Sequence, residues 1–184
     1  WVTDLIWDRL MRIGPDGTPQ PWAAESVAWV DDKTIDIKLR AGMKWHDGPP
    51  VTIEDVMFSF EAPAGDKAPM YKPFVTEIAS MEKTGELSLR MKLKQANASF
   101  FTATLSKINL IPKHIWDPVL KDLAGKPENA EQIKDINRTG SGPFKIVRWK
   151  PTEEIVLERF GEHFRAPKVE RWIMRIVPNA EATL

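Results

Sequence analysis

The sequence of 184 residues predicts an α+β fold, in which β-hairpins alternate with short helices. The first observation is that apolar and polar residues alternate over 34–40 and over 87–94, the pattern of a strand with one face in water. The second is that a helix-like segment follows each alternating run, at about 53–61 and about 98–106. Two such units favour an α+β module over a doubly wound one.

The first unit joins a strand at 26–30 to the return strand at 34–40 through a polar turn. An Asp-Gly pair and two prolines within 44–50 then end the strand. Thr52 stands where a helix N-cap is expected, and Asp55 lies three residues later, as in a variant of the capping box. The helix is therefore predicted to begin directly after Thr52.

The second unit repeats the first, with strands at 78–82 and 87–94 on either side of a turn. A loop at 62–71, broken by Pro and Gly residues, separates the two units. The polar segment at 117–137 mixes Lys with Glu and is predicted to be partly helical with a solvated face. The remaining strands are predicted at 144–149, 155–160 and 171–177.

The composition excludes several classes of function. The 26 Lys and Arg residues balance the 26 Asp and Glu residues, so the net charge is zero and no overall field attracts nucleic acid or an anionic membrane. The absence of cysteine excludes a disulfide scaffold, a thiolate zinc site and cysteine catalysis. The eight Trp residues, against one Tyr, suit either a core or an aromatic-lined cleft.

The residues that could carry catalytic or metal chemistry form no known motif. His46, His114 and His163 are too far apart in sequence for a two-histidine zinc motif and are interpreted as turn or surface histidines. The run Gly140-Ser141-Gly142 matches neither a nucleophile elbow nor the dinucleotide-binding fingerprint. The sequence therefore predicts no enzyme, no metal site and no cofactor.

One long segment resembles a known family. Residues 39–60 read Leu-Arg-Ala-Gly-Met-Lys-Trp-His-Asp-Gly-Pro-Pro-Val-Thr-Ile-Glu-Asp-Val-Met-Phe-Ser-Phe. This run resembles the signature of the extracellular solute-binding proteins of family 5, the peptide- and nickel-binding class that serves ATP-binding-cassette importers. Further segments are similar to the family in the same order, so the resemblance extends over essentially the whole chain. They are Leu5–Leu10, Ile111–His114, Thr139–Phe144, Val156–Phe160 and Ile173–Val177.

The resemblance implies a type II periplasmic-binding-protein fold, with mixed sheets, in which two lobes joined by hinge strands close on a ligand. This chain then corresponds to most of the first lobe, and the second lobe is absent from it. The lobe core is expected at 1–14 and 138–184, with an extra subdomain at 15–137. Because closure requires ligand contacts to both lobes, the first lobe alone is expected to bind weakly or not at all.

The function implied by the resemblance is transport. A full-length, monomeric protein would capture a peptide or a related small solute and deliver it to the permease subunits in the membrane. It would be periplasmic or lipid-anchored outside the cytoplasm, after export by a signal peptide that is not present in this chain. Neither a cofactor nor a nucleic acid takes part.

The resemblance also implies where the ligand lies, because the family segment that matches residues 7–9 runs beside the binding cleft. Trp7 could stack on a ligand while Asp8 and Arg9 hold its charged termini. Alternatively, Trp7 packs in the core and the two charged residues pair at the surface. Tyr71 is either a ligand contact or a loop anchor. The run Gly140-Ser141-Gly142 either lies near the crossing between lobes or forms a tight turn that needs positive φ.

Two functions of other classes stay open at this point. A ligand-sensing domain of a transcriptional regulator would carry a DNA-binding helix-turn-helix upstream of these residues. An autonomously folding fragment would have no activity of its own, since a chain of this length can bury a sizeable core. Within the family, nickel chelates, sugars and opines are alternatives to peptides as the ligand.

Overall fold

Nine strands and four α-helices lie in the residues that the computed structural model describes, which are 2–65, 69–123 and 138–177. In chain order the strands are β1 (Met11–Ile13), β2 (Pro19–Pro21), β3 (Ala24–Trp29), β4 (Thr34–Leu39), β5 (Ile78–Gly85), β6 (Ser88–Leu93), β7 (Phe144–Lys150), β8 (Glu154–Arg159) and β9 (Arg171–Arg175). The helices are α1 (Thr3–Ile6), α2 (Ile53–Ala64), α3 (Lys72–Val75) and α4 (Lys113–Leu123). A 3-10 turn spans Pro69–Tyr71, and a wide turn of the π type spans Phe101–Leu105. None of these described helices is long and apolar enough to cross a membrane.

The two predicted hairpins are confirmed, and they join in one antiparallel sheet in the order β3-β4-β6-β5. The return strands β4 and β6 pair at the centre, which places Ile35 opposite Met91 on the buried face, where both side chains are fully buried. On the outer face Asp36 lies opposite Arg90 and accepts two hydrogen bonds from its guanidinium, at 2.7 and 2.8 Å. The predicted alternation therefore becomes an apolar inner face and an ion-paired outer face.

Helix α2 packs against the inner face of this sheet and begins where the capping box predicts. The Asp55 N–H donates to Thr52 Oγ1 at 3.3 Å, and the Thr52 N–H donates to Asp55 Oδ2 at 2.9 Å. The Asp55 carboxylate also accepts from the Trp45 indole N–H at 3.3 Å and from the Lys113 N–H at 2.8 Å. One buried carboxylate thus ties the turn before α2 and the first turn of α4 to the start of α2.

The largest group of buried apolar side chains lies between this sheet, α2 and the turn Phe101–Leu105. Its largest fully buried members are Trp45, Phe60 and Phe100. Leu10 and Met11 pack in the same group, so the predicted N-terminal segment of the lobe core contacts the predicted subdomain. The division into a core and a subdomain stays a prediction.

A second antiparallel sheet, β7-β8-β9, contains the predicted third strand pair and the last strand, which ends at Arg175. Helix α1 packs on this sheet, where Ile6, Phe144 and Leu157 form a small buried group. Trp149 and Trp172 on the same sheet are 44% and 46% exposed. The apolar side chains of this sheet are therefore only partly covered within the described residues.

The pairing of β1 with β2 was not predicted from the sequence. The register sets Met11 opposite Pro21 and Ile13 opposite Pro19. Proline lacks an N–H for the ladder and is tolerated only at strand edges, so a run that contains two prolines does not predict a strand. This ladder has two strands, and each strand is therefore an edge.

One helical prediction needs correction, and a second agrees with the structure over the residues that it describes. The helix expected at 98–106 is the single wide turn Phe101–Leu105, and in it the hydroxyls of Thr104 and Ser106 donate to the carbonyls of Phe74 and Thr102. The Ser106 bond runs back four residues to Thr102, and local bonds of this kind compete with regular helix. The polar segment begins with the second half of α4, and residues 124–137 lie outside the described residues.

Candidate functional site

Three segments that are distant in sequence meet at the C-terminal end of α1. The Gly142 N–H donates to the Ile6 carbonyl at 2.8 Å, and the Trp7 indole N–H donates to the Thr139 carbonyl at 3.1 Å. The turn before α2 joins them through His46, whose N–H donates to the Gly140 carbonyl at 2.8 Å. The segments that resemble the family signature are therefore neighbours in the fold.

The imidazole of His46 holds the 140–142 loop at both ends. The Gly140 N–H donates to His46 Nδ1 at 3.2 Å, and His46 Nε2 lies 2.9 Å from the Gly142 carbonyl. Both bonds are satisfied by the neutral ring with its proton on Nε2, a tautomer assigned from these partners. Burial lowers the pKa of His46, which also favours the neutral form.

The glycines of this loop are required by close packing. A Cβ on Gly140 would lie 1.8 Å from the Ile6 carbonyl oxygen, and one on Gly142 would lie 2.7 Å from the Leu5 oxygen. Neither glycine has positive φ, so the expectation of a turn that needs positive φ was wrong. Ser141 between them is 1% exposed, and its hydroxyl has no hydrogen-bond partner among the described residues. A ligand contact at Gly140, Ser141 or Gly142 stays a prediction.

Asp8 and Arg9 direct their charges into the protein. Asp8 is fully buried, and its Oδ1 accepts from the Trp22 indole N–H at 2.7 Å and lies 3.3 Å from His163 Nε2. Arg9 pairs with Asp4 at 2.6 Å through Nη2. Its Nε donates to the Asn109 side-chain oxygen at 2.9 Å. Within this structure both charges have protein partners, and their predicted role at the ligand termini stays a prediction.

A cleft of about 350 Å³ lies between α1, α2, α4 and the segment around Tyr71. It brings together two of the predicted ligand contacts, Trp7 and Tyr71, which are 64 positions apart in the sequence. Its volume lies in the range of small-molecule pockets, roughly 300 to 1,000 Å³. The lining residues are Thr3, Trp7, Ser59, Ala62, Pro63, Tyr71, Ile108, Asn109, Ile111, Trp116 and Leu120. We take this aromatic cleft as the candidate ligand-binding site.

The sequence analysis missed Trp116 and Leu120, which line the aromatic cleft from α4. They lie four residues apart, the spacing that places two side chains on one helix face. That spacing could have indicated an apolar face on this helix. The charged residues that follow Trp116 instead led to the prediction of a solvated face. The Trp116 indole N–H is buried and has no hydrogen-bond partner among the described residues.

Ser59, Asn109 and Trp7 in the aromatic cleft already bond to protein groups through their polar atoms, whereas the Trp116 indole N–H does not within the described residues. The Ser59 hydroxyl donates to the Asp55 carbonyl at 2.7 Å and accepts from the Ile111 N–H at 2.9 Å. Asn109 accepts from Arg9, and the Trp7 N–H is bound to a carbonyl. No charged side chain stands among the residues that line this cleft in the described part of the chain. The cleft therefore offers mainly ring faces and aliphatic groups.

The histidines do not assemble a metal site. His46 and His163 lie in turns, but His163 is buried and not a surface residue, whereas His114 is exposed and pairs with Asp47 at 2.8 Å. In residues 2–65, 69–123 and 138–177, no group of three or more His, Asp or Glu side chains could hold a metal ion.

Comparison with known proteins identifies the family of the sequence. Residues 18–184 match the model of the bacterial extracellular solute-binding proteins, family 5, middle region. The oligopeptide-binding protein AppA of Bacillus subtilis is 31% identical over 171 residues, covering 88% of this chain and 30% of AppA. The peptidoglycan-binding protein YepA of Agrobacterium fabrum is 33% identical over 168 residues, covering 88% of this chain and 25% of YepA.

The fold agrees with this relationship. The solved structure of B. subtilis AppA in complex with a nonapeptide superimposes with a TM-score of 0.84 at 26% identity, covering 99% of this chain and 36% of that one. The expected fold class, part of a two-lobed binding protein with several sheets, is thereby confirmed. The chain spans between 24% and 30% of the length of the first curated relatives that it matches.

Proposed function

The chain belongs to the bacterial extracellular solute-binding proteins of family 5, and we propose that it is part of a receptor that captures peptides for an ATP-binding-cassette importer. The receptor works outside the cytoplasm, reached through a signal peptide with or without a lipid anchor. It passes its ligand to membrane permease subunits and performs no chemical step. Membership of this family supports the assignment, because its proteins bind solutes and are not enzymes.

The observation that carries the proposal is the aromatic cleft. Trp7 and Tyr71, chosen from the sequence as ligand contacts, line one cavity of about 350 Å³. The indole of Trp7 is fixed by its bond to the Thr139 carbonyl, so its ring is presented in one orientation. A wall that is ordered before the ligand arrives loses little conformational entropy on binding.

Closure of two lobes supplies the transport signal. A ligand shifts an open–closed equilibrium only by the difference between its affinities for the two states. Contacts to the aromatic cleft alone exist in both states and do not close the receptor. Contacts made to both lobes together stabilise the closed state, which is the one that a permease can recognise.

Peptides are favoured over sugars because a peptide can place an apolar side chain in the aromatic cleft while its backbone amides pair elsewhere, whereas the hydroxyls of a sugar ring enter the cleft with the ring. YepA is a peptidoglycan-binding protein, which makes a sugar-bearing ligand the second candidate. Sugar hydroxyls need free polar partners, whereas Ser59 and Asn109 here already bond to protein groups. A buried hydroxyl without a partner costs about 1 to 3 kcal/mol.

The test is made on the full-length receptor. We expect protein purified from its native host to release peptides on denaturation, identified by mass spectrometry, and the stripped protein to bind them by calorimetry. Tyr71→Ala should weaken this binding, whereas Trp29→Ala should not, because Trp29 is equally exposed but does not line the cleft. Release of only sugars or metal chelates would contradict the peptide assignment. The 184-residue chain alone should bind no peptide with submicromolar affinity.

A further inference from the structure

We infer that the aromatic cleft selects a peptide that carries one bulky, uncharged, apolar side chain, and that it discriminates against Lys, Arg, Asp and Glu at that position. This inference rests on the proposed function and specifies the ligand class for the same site.

The first support is the lack of a counter-charge. No acidic or basic side chain lines the aromatic cleft in the described residues. The guanidinium of Arg9 is held by Asp4, by Asn109 and by the Ser106 carbonyl, at 2.6, 2.9 and 3.2 Å. A charged ligand group would therefore lose its water without gaining an opposite charge, which is costly in an apolar environment.

The second support is the shape and chemistry of the lining. Trp7, Tyr71 and Trp116 contribute three aromatic rings, and Ile108, Ile111 and Leu120 contribute branched aliphatic groups. Aromatic rings attract an apolar or aromatic guest through offset and edge contacts as well as through burial of area. A small side chain such as Ala would leave most of the 350 Å³ unfilled.

The third support is that a rigid part of the fold forms the aromatic cleft. Ser59 and Ile111 in its wall are joined by a hydrogen bond of 2.9 Å, and Ser59 also bonds to the carbonyl of Asp55 in α2. Asp55 in turn binds the N–H of Lys113 at the start of α4. Because α2 and α4 are tied together beside the cleft, its volume is preserved when the ligand is absent.

The experiment uses the full-length receptor and pentaalanine peptides in which one position at a time is Phe, Leu, Lys or Glu. Calorimetry should show one position at which Phe and Leu bind roughly 10- to 100-fold more tightly than Ala. Lys and Glu at that position should bind no better than Ala. Equal affinities for all side chains would overturn the inference and leave the peptide receptor standing. Failure of every peptide to bind would contradict the proposed function itself.

Matched variants test whether the preference for a bulky apolar side chain depends on the aromatic cleft. Ala62 in α2 lines the aromatic cleft, so Ala62→Phe should fill it and reduce the preference for Phe over Ala to less than threefold. Ala64 lies in the same helix but is exposed, so Ala64→Phe should keep the preference. If Ala62→Phe does not fold, as judged by circular dichroism, Tyr71→Ala carries the test and should reduce the preference severalfold. A preference that survives in both cleft variants would place the selective pocket elsewhere and overturn the inference.

Discussion

The two sheets of this chain differ in how completely their apolar faces are covered. The four-stranded sheet, with α2 against it, buries Trp45, Phe60 and Phe100 almost completely. The three-stranded sheet, with α1 against it, buries Ile6, Phe144, Val156 and Leu157, and leaves Trp149 and Trp172 nearly half exposed. Burial of apolar area therefore stabilises the first sheet more than the second. The second sheet packs against α1 and Trp7, and Trp7 in turn lines the aromatic cleft.

The largest expected effect is a tryptophan truncation in the well-covered region. Trp45→Ala should lower the free energy of unfolding by about 3 to 5 kcal/mol, because the site is fully buried and the Asp55 carboxylate loses a donor. Trp149→Ala, at a site that is 44% exposed, should cost less than about 1.5 kcal/mol. Urea denaturation followed by fluorescence measures both. Equal losses of unfolding free energy in the two variants would contradict the expected difference between the two sheets.

The second largest effect is expected in the 140–142 loop, which bonds both to the turn before α2 and to α1. Gly140→Ala should destabilise the protein by about 3 kcal/mol, because the new Cβ would lie 1.8 Å from the Ile6 oxygen and the loop must move. Gly161→Ala is the control, since no atom of the described residues lies within 4 Å of its Cβ position, and it should change stability by less than about 0.5 kcal/mol. Thermal melting compares them, and a Gly140→Ala protein with wild-type stability would refute the packing explanation.

A smaller effect of opposite sign is expected in the hairpin between β7 and β8. Thr152 has φ of 66°, an unfavourable value for a β-branched residue. Thr152→Gly should therefore stabilise the protein by about 1 kcal/mol. Thr84→Gly in β5 has no such strain to relieve and should destabilise it by up to about 1 kcal/mol. If both changes destabilise the protein in urea titrations, the backbone strain at Thr152 does not lower the stability of the protein.

The smallest effect is a pH dependence carried by His46. Burial lowers the pKa of His46 in the folded protein, so below about pH 6.5 the unfolded chain takes up a proton that the folded chain does not. Stability should therefore fall as pH decreases from about 6.5, with a slope of at most about 1.4 kcal/mol per pH unit from this residue. His46→Gln should have a shallower slope over the same interval. Parallel curves for the two proteins would contradict this role.

Local patterns predicted much of the four-stranded sheet. The alternation around Ile35 and Met91 and the capping box of Thr52 depend on neighbouring residues in the sequence, and both are present in the structure. The joining of the two hairpins depends on contacts between strands that are distant in sequence. Alternation alone specifies which face is apolar, but not which strand lies beside it.

The candidate site was predictable only in part, for a related reason. Trp7 and Tyr71 were identified by their resemblance and type, and both line the aromatic cleft. Asp8 shows the limit of such reasoning, because its burial beneath Trp22 results from tertiary packing that no local pattern specifies. Trp116 was missed because polar neighbours obscured the spacing of the apolar residues of α4.

The most direct test of the ligand site is fluorine NMR of the full-length receptor labelled with 5-fluorotryptophan, with resonances assigned by single Trp→Phe variants. Saturation with the tightest-binding peptide should shift the signals of Trp7 and Trp116, which line the aromatic cleft. The signal of Trp45, fully buried in the main core, should stay in place. Unchanged signals from Trp7 and Trp116 at saturation would contradict the assignment of this cleft as the ligand-binding site.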